Sequence, residues 1–257
     1  MKHFTLPKEG GLIETGIPSD ILHSYEKIRT EIYDQSTTAS EVIADTIIDA
    51  INASKEKTFK LGLSTGVTPV SLYKWLTRKY QEGKVSFKNV EVYSIDEYYP
   101  YGKGEPQSRN KILHTSLLNA VDIKEENIHI PDGSVPGDKI SAYCEEYDRM
   151  ARNLDMLVIG MGEAGQVGFN EAGTTPSSRT RTVLLSYQSR KRQGKNFNGD
   201  FKHTPSQAIT VGIDTMMSAK KIILMAWGED KANAVKQVVE HKADSDFPAS
   251  FLQNHKD

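Results

Sequence analysis

Apolar residues recur along the chain at two spacings, which predict alternating helices and strands. Between Thr38 and Ala53 they follow helical spacing, and Ser36, Thr37 and Thr38 offer candidate caps. Short apolar runs bounded by polar or glycine-containing turns predict buried strands. The strands are expected at 59–63, 90–95, 154–159, 208–211 and 222–227, and further helices at 69–80, 110–120, 138–153 and 229–240.

This alternation is typical of an α/β fold, a doubly wound, mainly parallel sheet with helices on both faces (Rossmann-like). Such sheets bind ligands beyond the carboxyl ends of their strands. The turns there that carry glycine or polar residues are 64–68, 96–97, 160–171 and 228–231. Residues 1–37 mix glycine, proline and charge with little periodicity, and we expect an N-terminal arm ahead of a single domain at 38–257.

Composition narrows the classes of protein that the chain can represent. Its 32 Lys and Arg against 34 Asp and Glu give a net charge of −2, without the basic excess typical of nucleic-acid binding. No apolar run approaches the ~20 residues of a membrane span, and the polar N-terminus does not resemble a signal peptide. The single cysteine, Cys144, excludes an internal disulfide framework and a cysteine-rich zinc site. We therefore expect a cytoplasmic protein that binds neither nucleic acid nor membranes.

The turn after the first strand, STGVT at 64–68, has the features of an anion site. A strand that runs through a glycine-containing turn into a helix offers backbone N–H groups and a favourable dipole to a phosphate. Thr65, Gly66 and Thr68 would line this site, with Thr68 as N-cap and Pro69 as the first helical residue. Lys231 places a cation in the first turn of a later helix, where it suits a bound anion better than its own helix. A plain capped turn and a solvated lysine are the alternatives.

A second turn, GMGEAG at 160–165, matches the spacing G-x-G-x-x-G after a strand. No apolar helix follows it, and no acidic residue stands about 20 positions on, where a dinucleotide ribose needs one. The pattern therefore favours a glycine-rich floor under a small ligand over a nicotinamide or flavin site.

The third turn carries adjacent carboxylates, Asp96 and Glu97. Because side chains alternate along a strand, only one of them is expected to face a cleft. A carboxylate there, shielded from water, would have a raised pKa and could act as a general base. A capping carboxylate is the alternative.

A basic stretch follows the glycine-rich turn. It fits a mobile lid that brings positive charge to an anionic substrate, with a solvated loop as the alternative. RNA binding is disfavoured because interleaved aromatic residues are missing. The stretch consists of Arg179, Arg181, Arg190, Lys191, Arg192 and Lys195.

Taken together, these turns resemble the glucosamine-6-phosphate deaminase family, whose fold is shared with 6-phosphogluconolactonases. FNE at 169–171 and DEY at 96–98 resemble the deaminase branch. The matching segments stand in family order from about residue 25 onward: LGLSTGVTP (61–69), VEVYSIDEYYP (90–100), ENIHIPDG (126–133), LDMLVIGMGEAGQVGFNEAG (154–173), SSRTR (177–181), AITVGIDTMMSAKKIILMAWGEDKA (208–232) and PASFLQNH (248–255).

The resemblance implies a reaction and residue roles. The family opens the ring of an amino-sugar 6-phosphate and moves a proton from C2 to C1, releasing a ketohexose 6-phosphate and ammonia without a metal or organic cofactor. Asp96 matches the base that takes the C2 proton. The phosphate-binding residues of the family match Thr65, Gly66, Thr68, Lys195 and Lys231.

Two departures affect the ring-opening residues. The family's histidine is replaced by Gln166, and the aspartate that orients it by Ala164, whereas its glutamate remains as Glu171. An amide does not titrate near neutral pH, so deamination should be weakened, since a general acid–base group contributes about 10²–10⁴-fold. His203, just past the lid, could fold back as a substitute.

The sequence leaves competing functions open. Intact Asp96 favours an isomerase or deaminase, whereas Ala164 and Gln166 favour a sugar-phosphate binding protein; a 6-phosphogluconolactonase is a weaker alternative. Family members continue with another strand and helix beyond the element that ends at His255. The uncovered sheet edge expected from a truncated C-terminus would favour pairing with a second copy.

Overall fold

The computed structural model describes residues 26–55 and 57–257. Within them the chain forms a five-stranded parallel sheet, in the order β4-β2-β1-β5-β8, and a three-stranded antiparallel sheet, in the order β3-β7-β6. The strands are β1 (Phe59–Leu63), β2 (Val90–Ser94), β3 (Asp96–Tyr99), β4 (Ile128–His129), β5 (Met156–Gly160), β6 (Arg181–Leu184), β7 (Gln207–Thr210) and β8 (Ile222–Met225). The helices are α1 (Ser36–Ser54), α2 (Val70–Gln81), α3 (Arg109–Ser116), α4 (Ile140–Met150), α5 (Tyr187–Gln193), α6 (Ile213–Met217) and α7 (Ala232–Glu240).

Alternate residues of the parallel strands pack on opposite faces of the sheet. On one face Leu61 and Val158 pack with apolar residues of α1 and α2. On the other face Leu157 and Ile159 pack with residues of α4, α6 and α7. Because strands buried on both faces need helices on both faces, the predicted doubly wound α/β fold is confirmed.

The small antiparallel sheet was not predicted, and it corrects the reading of residues 96–97 as a turn. The chain leaves the parallel sheet at Ile95, and Asp96 to Tyr99 then pair with β7. The predicted strand at 208–211 is this partner, β7, rather than a member of the main sheet. Apolar periodicity identifies a strand but not the neighbour that it pairs with, which explains the error.

Several element boundaries also differ from the prediction. The second helix begins at Val70, with Pro69 at the N-cap position and no side-chain cap, so the prediction of Thr68 as N-cap is wrong. The first helix likewise begins at Ser36 without a side-chain cap. The last predicted helix is divided into a short 3₁₀ turn, Glu229–Lys231, and α7.

The ends of the chain bear on two further expectations. Most of the predicted N-terminal arm, residues 1–25, lies outside the described residues; Lys27 donates its backbone N–H to Val239 O at 2.8 Å. Strand β8 lies at one edge of the parallel sheet, where Ile222 N donates to Asp257 O at 3.0 Å. Pairing of this edge with a second copy stays a prediction. In the described part of the chain, no helix has the length and apolar character that a membrane span requires.

Candidate active site

The turns that follow β1, β5 and β8 meet at the carboxyl edge of the parallel sheet. The Thr68 side chain packs over Gly160, where an added Cβ would lie 3.1 Å from Thr68 Cβ. Trp227 Nε1 donates to Thr68 O at 2.9 Å. Lys231 Nζ lies 3.9 Å from Glu163 Oε1. Residues that are far apart in sequence are thereby held together beyond the carboxyl ends of the strands, where sheets of this kind bind ligands.

The first of these turns has a polar side chain without a partner inside the protein. Thr65 Oγ1 is buried and makes no hydrogen bond within the described residues. Gly66 has a φ of +112°, a backbone conformation that favours glycine, and it is exposed. Lys231 is 16% exposed, and its nearest carboxylate oxygens lie 3.8 and 3.9 Å away. A hydroxyl and an ammonium group with unused donors suit a phosphate ligand.

Asp96 begins β3 and is buried. Its strand partner is Thr210, which in turn lies opposite Arg181, so these side chains form one row across the small sheet. Thr210 Oγ1 accepts the backbone N–H of Phe169 at 3.1 Å, which joins the row to the glycine-rich loop. Burial raises the pKa of Asp96 above its ordinary value, and the Arg109 guanidinium opposes this rise. A carboxylate in such surroundings is a candidate general base.

Glu97 points away from Asp96 and caps a helix. Its carboxylate accepts the backbone N–H of Arg109 at 2.9 Å and of Asn110 at 3.0 Å, at the start of α3. Burial raises the pKa of Glu97 to about 7, although these hydrogen bonds act against the rise. The two adjacent carboxylates therefore occupy different sites, one in the row with Thr210 and one at a helix N-terminus.

Arg109 is a residue of this site that sequence reasoning missed. Its Nε lies 3.4 Å from Asp96 Oδ1, and both side chains are 8% exposed. The guanidinium lies 4.6 Å from the ring centre of Tyr98 and 5.4 Å from that of Phe169. An arginine directly after a serine N-cap is ordinarily a solvent-exposed helix residue, so no local sequence pattern predicted that Arg109 is buried.

The glycine-rich loop contains Ala164 and Gln166, the two replaced positions of the family's ring-opening relay of aspartate, histidine and glutamate. Gln166 Oε1 accepts the backbone N–H of Ala164 at 3.0 Å, so its amide is tied to its own loop. Glu171 Oε2 accepts the backbone N–H of Ser186 at 3.1 Å, whereas Glu171 Oε1 is buried without a hydrogen-bond partner in the described residues. No helix opens after Gly165, so the loop does not form a dinucleotide-binding turn.

The segment at 187–197, which contains much of the basic stretch, packs on the antiparallel sheet. Tyr98 OH donates to Gln193 Oε1 at 2.8 Å, and the Phe197 ring lies 5.5 Å from the Tyr98 ring. Lys195 is exposed, and no hydrogen bond or ion pair of its side chain with another described residue joins it to the phosphate turn at 64–68. His203 is 81% exposed and lies 2.6 Å from Asp200, and no contact links it to Gln166.

No group of three or more His, Cys, Asp or Glu side chains in the described part of the chain is arranged to hold a metal ion. Of the predicted residues, the structure brings together the turns that carry Thr65, Gly66, Thr68 and Lys231. Asp96 lies on β3, which continues from β2, the neighbour of β1 in the parallel sheet.

Comparisons with known proteins find relatives with this fold. A family profile described as glucosamine-6-phosphate isomerases/6-phosphogluconolactonase matches residues 34–257. A glucosamine-6-phosphate deaminase of Lysinibacillus sphaericus is 38% identical over 89% of this chain and 94% of its own length. A glucosamine-6-phosphate deaminase-like protein of Bacteroides thetaiotaomicron is 37% identical over 94% of this chain, which spans only 37% of that relative. The solved structure of a monomeric glucosamine-6-phosphate deaminase, 34% identical, superposes with a TM-score of 0.82 over 87% of this chain and 92% of its own.

Proposed function

Since this chain belongs to the glucosamine-6-phosphate isomerase and 6-phosphogluconolactonase family, we propose that it is an isomerase and deaminase of a hexosamine 6-phosphate. Its substrate is glucosamine or galactosamine 6-phosphate, and its products are a ketohexose 6-phosphate and ammonia. Relatives named glucosamine-6-phosphate deaminase, at 38% and 39% identity over most of their length, support this activity over lactone hydrolysis. The proposal includes a cytoplasmic location and chemistry without a metal or organic cofactor.

The observation that carries the proposal is a buried carboxylate beside a turn with unused donors. Leu63 pairs with Ser94 in the parallel sheet, so the phosphate turn and Asp96 follow neighbouring strands. Thr65 Oγ1 and Lys231 would bind the substrate phosphate, which fixes the distance from the phosphate to the reacting carbons. In this proposal the other end of an extended sugar phosphate reaches the buried Asp96, which follows the neighbouring strand.

The chemistry assigned to Asp96 is a proton transfer. In the open-chain sugar the C1 aldehyde acidifies the C2 proton, which the carboxylate removes and delivers to C1. O1 takes up a proton as the aldehyde becomes an alcohol, and the C2 amine gives up a proton as it becomes an imine. Water then adds to the imine carbon, and ammonia leaves as the C2 ketone forms. A raised pKa makes Asp96 a stronger base than an exposed aspartate, provided that it is ionised at the working pH.

The loop that replaces the relay favours a second candidate function. Gln166 is bonded to Ala164 of its own loop and cannot exchange a proton near neutral pH. A protein that binds a hexosamine 6-phosphate without turning it over would keep the phosphate turn and dispense with the imidazole. Ring opening in the proposed enzyme must therefore rely on the solution equilibrium or on another group, at a reduced rate.

Assay of ammonia and ketose 6-phosphate formed from each amino sugar phosphate separates these functions. The purified protein and an Asp45→Asn control, altered at an exposed surface carboxylate, are expected to release both products in equal amounts from at least one sugar. Asp96→Asn should lose turnover by at least about 10²-fold while it still binds the sugar phosphate. Binding without turnover in the unaltered protein would establish the second function, and equal turnover in Asp96→Asn would exclude Asp96 as the base.

A further inference from the structure

The buried guanidinium of Arg109 is an unusual feature of the site. Burying a charge is costly unless the charge is paired, and a cation in the first turn of a helix also opposes the helix dipole. Arg109 is the first residue of α3 and carries both costs. A side chain directed into solvent would avoid the cost of burial. The burial therefore points to a use for the cation at this place.

The carboxylate that faces Arg109 is Asp96. Asp96 Oδ1 and Arg109 Nε are both buried, and neither has a hydrogen-bond partner among the described residues, yet the two atoms lie only 3.4 Å apart. The Glu97 carboxylate accepts backbone N–H groups at the start of α3, and the rings of Tyr98 and Phe169 lie against the guanidinium. Backbone and aromatic contacts together fix the cation beside the proposed base.

We propose that Arg109 is a positioning residue that keeps the buried Asp96 carboxylate ionised and oriented for removal of the C2 proton. This inference rests on the proposed function, because it concerns the same base. The side chain of Arg109 contacts Asp96, Tyr98 and Phe169, so we assign its effect on the reaction to its contact with Asp96.

The other groups around Asp96 do not provide this charge. Arg181, which shares the row with Thr210, donates instead to Asn170 Oδ1 and to Arg179 O, each at 3.1 Å. Tyr73 of α2, Tyr147 of α4 and Tyr98 of β3 carry hydroxyls whose pKa values burial raises, so they stay neutral. Glu97 is the other neighbouring carboxylate, and its negative charge would favour protonation of Asp96. Among the described residues, Arg109 is the cation that lowers the pKa of Asp96, and it does so against the rise that burial causes.

Replacement of Arg109 by an uncharged side chain should therefore leave Asp96 protonated at higher pH. An opposite charge within about 4–6 Å lowers a carboxyl pKa by roughly 1–3. In Arg109→Met, which keeps an apolar stem against the two rings, the acidic limb of the kcat/KM profile for glucosamine 6-phosphate should move up by about 1–3 pH units. Arg109→Lys should restore most of the original profile, and Arg78→Met, at an arginine 63% exposed on α2, should not change it.

An unchanged acidic limb in folded Arg109→Met would overturn the proposal. So would a loss of activity in Arg109→Lys equal to that in Arg109→Met, because this result would assign Arg109 a purely structural role.

A titration of the Asp96 carboxyl carbon by ¹³C NMR tests the same inference without turnover. Its signal is assigned by its loss in Asp96→Asn. The midpoint should lie higher in Arg109→Met than in the unaltered protein, because the variant lacks the cation beside the carboxylate, and equal midpoints in the two proteins would overturn the proposal. If the protein turns over no hexosamine 6-phosphate, the proposed function fails, whereas this titration still reports whether Arg109 keeps Asp96 ionised.

Discussion

The indole of Trp227 donates a hydrogen bond of 2.9 Å to the carbonyl oxygen of Thr68, a residue 159 positions earlier in the chain. This bond joins the turn after β1 to the turn after β8. It places Lys231, four residues beyond Trp227, on the same side as the phosphate turn. The candidate phosphate site is therefore built from two distant segments, and neither segment alone provides both a glycine turn and a cation.

Replacement of Lys231 by glutamine should weaken binding of a hexosamine 6-phosphate by about 10- to 100-fold, because a charge-assisted hydrogen bond contributes roughly 1.5–3 kcal/mol. Binding of the unphosphorylated sugar should not change. Isothermal titration calorimetry measures both affinities. Lys236→Gln, at an exposed position of α7, is the matched control. Equal losses for the phosphorylated and unphosphorylated sugars would show that Lys231 does not contact the phosphate.

Rebuilding the relay should accelerate the reaction. In Ala164→Asp/Gln166→His the imidazole regains an orienting carboxylate, and Glu171 Oε1, which is buried without a partner in the described residues, is available to it. We expect kcat to rise by at least about 10²-fold, the lower range for general acid–base catalysis. Ala164→Asn/Gln166→His supplies the imidazole without the carboxylate and should gain less. If kcat does not rise in the folded double variant, ring opening does not limit the natural protein.

The buried carboxylate of Asp148 should stabilise the fold in a pH-dependent way. It accepts hydrogen bonds from Arg179 Nη2 at 2.6 Å, from Thr180 N at 2.8 Å and from the Thr215 hydroxyl, and so ties α4 to β6 and α6. Burial acts to raise its pKa, but these hydrogen bonds outweigh burial and lower it to about 2. Asp148→Asn should reduce the free energy of unfolding by about 2 kcal/mol at pH 7.

The sign of this pH dependence follows from the depressed pKa. The stabilisation is fully present above the unfolded-state pKa of about 3.9 and is lost as pH falls through about 2 in the folded protein. Urea unfolding between pH 2 and 7 should show the difference between the natural protein and Asp148→Asn shrinking below about pH 4. Asp45→Asn, at a surface ion pair, should cost at most about 1 kcal/mol. A difference that does not vary with pH would contradict this account.

The fold class was predictable because its signal is local. The apolar runs at 59–63 and 154–159 and the helical spacing at 38–53 are fixed by burial on one or both faces, so they can be read without tertiary contacts. Three of the four predicted polar turns at the strand ends (64–68, 160–171 and 228–231) were likewise found from sequence, because parallel strands bring their carboxyl ends to one edge.

The rest depended on contacts that sequence periodicity does not encode. The pairing of Asp96 with Thr210 is a long-range choice of strand partner. The burial of Arg109 follows from two such choices at once, the capping of α3 by Glu97 and the packing of Phe169 beside Tyr98. The role of Lys195 stays a prediction, because the lid packs on the small sheet without a contact between Lys195 and the phosphate turn.

Exchange of the C2 proton of glucosamine 6-phosphate or galactosamine 6-phosphate with solvent, followed by ¹H NMR in D₂O, tests the central claim most directly, because it reports proton removal before ammonia is lost. With the natural protein the C2 proton should be replaced by deuterium or transferred to C1, so the C2 signal should be lost. With Asp96→Asn the C2 signal should be lost no faster than in the absence of protein. Loss of the C2 signal at equal rates with both proteins, or a C2 signal that the natural protein leaves unchanged in either bound sugar phosphate, would contradict the assignment of Asp96 as the C2 base.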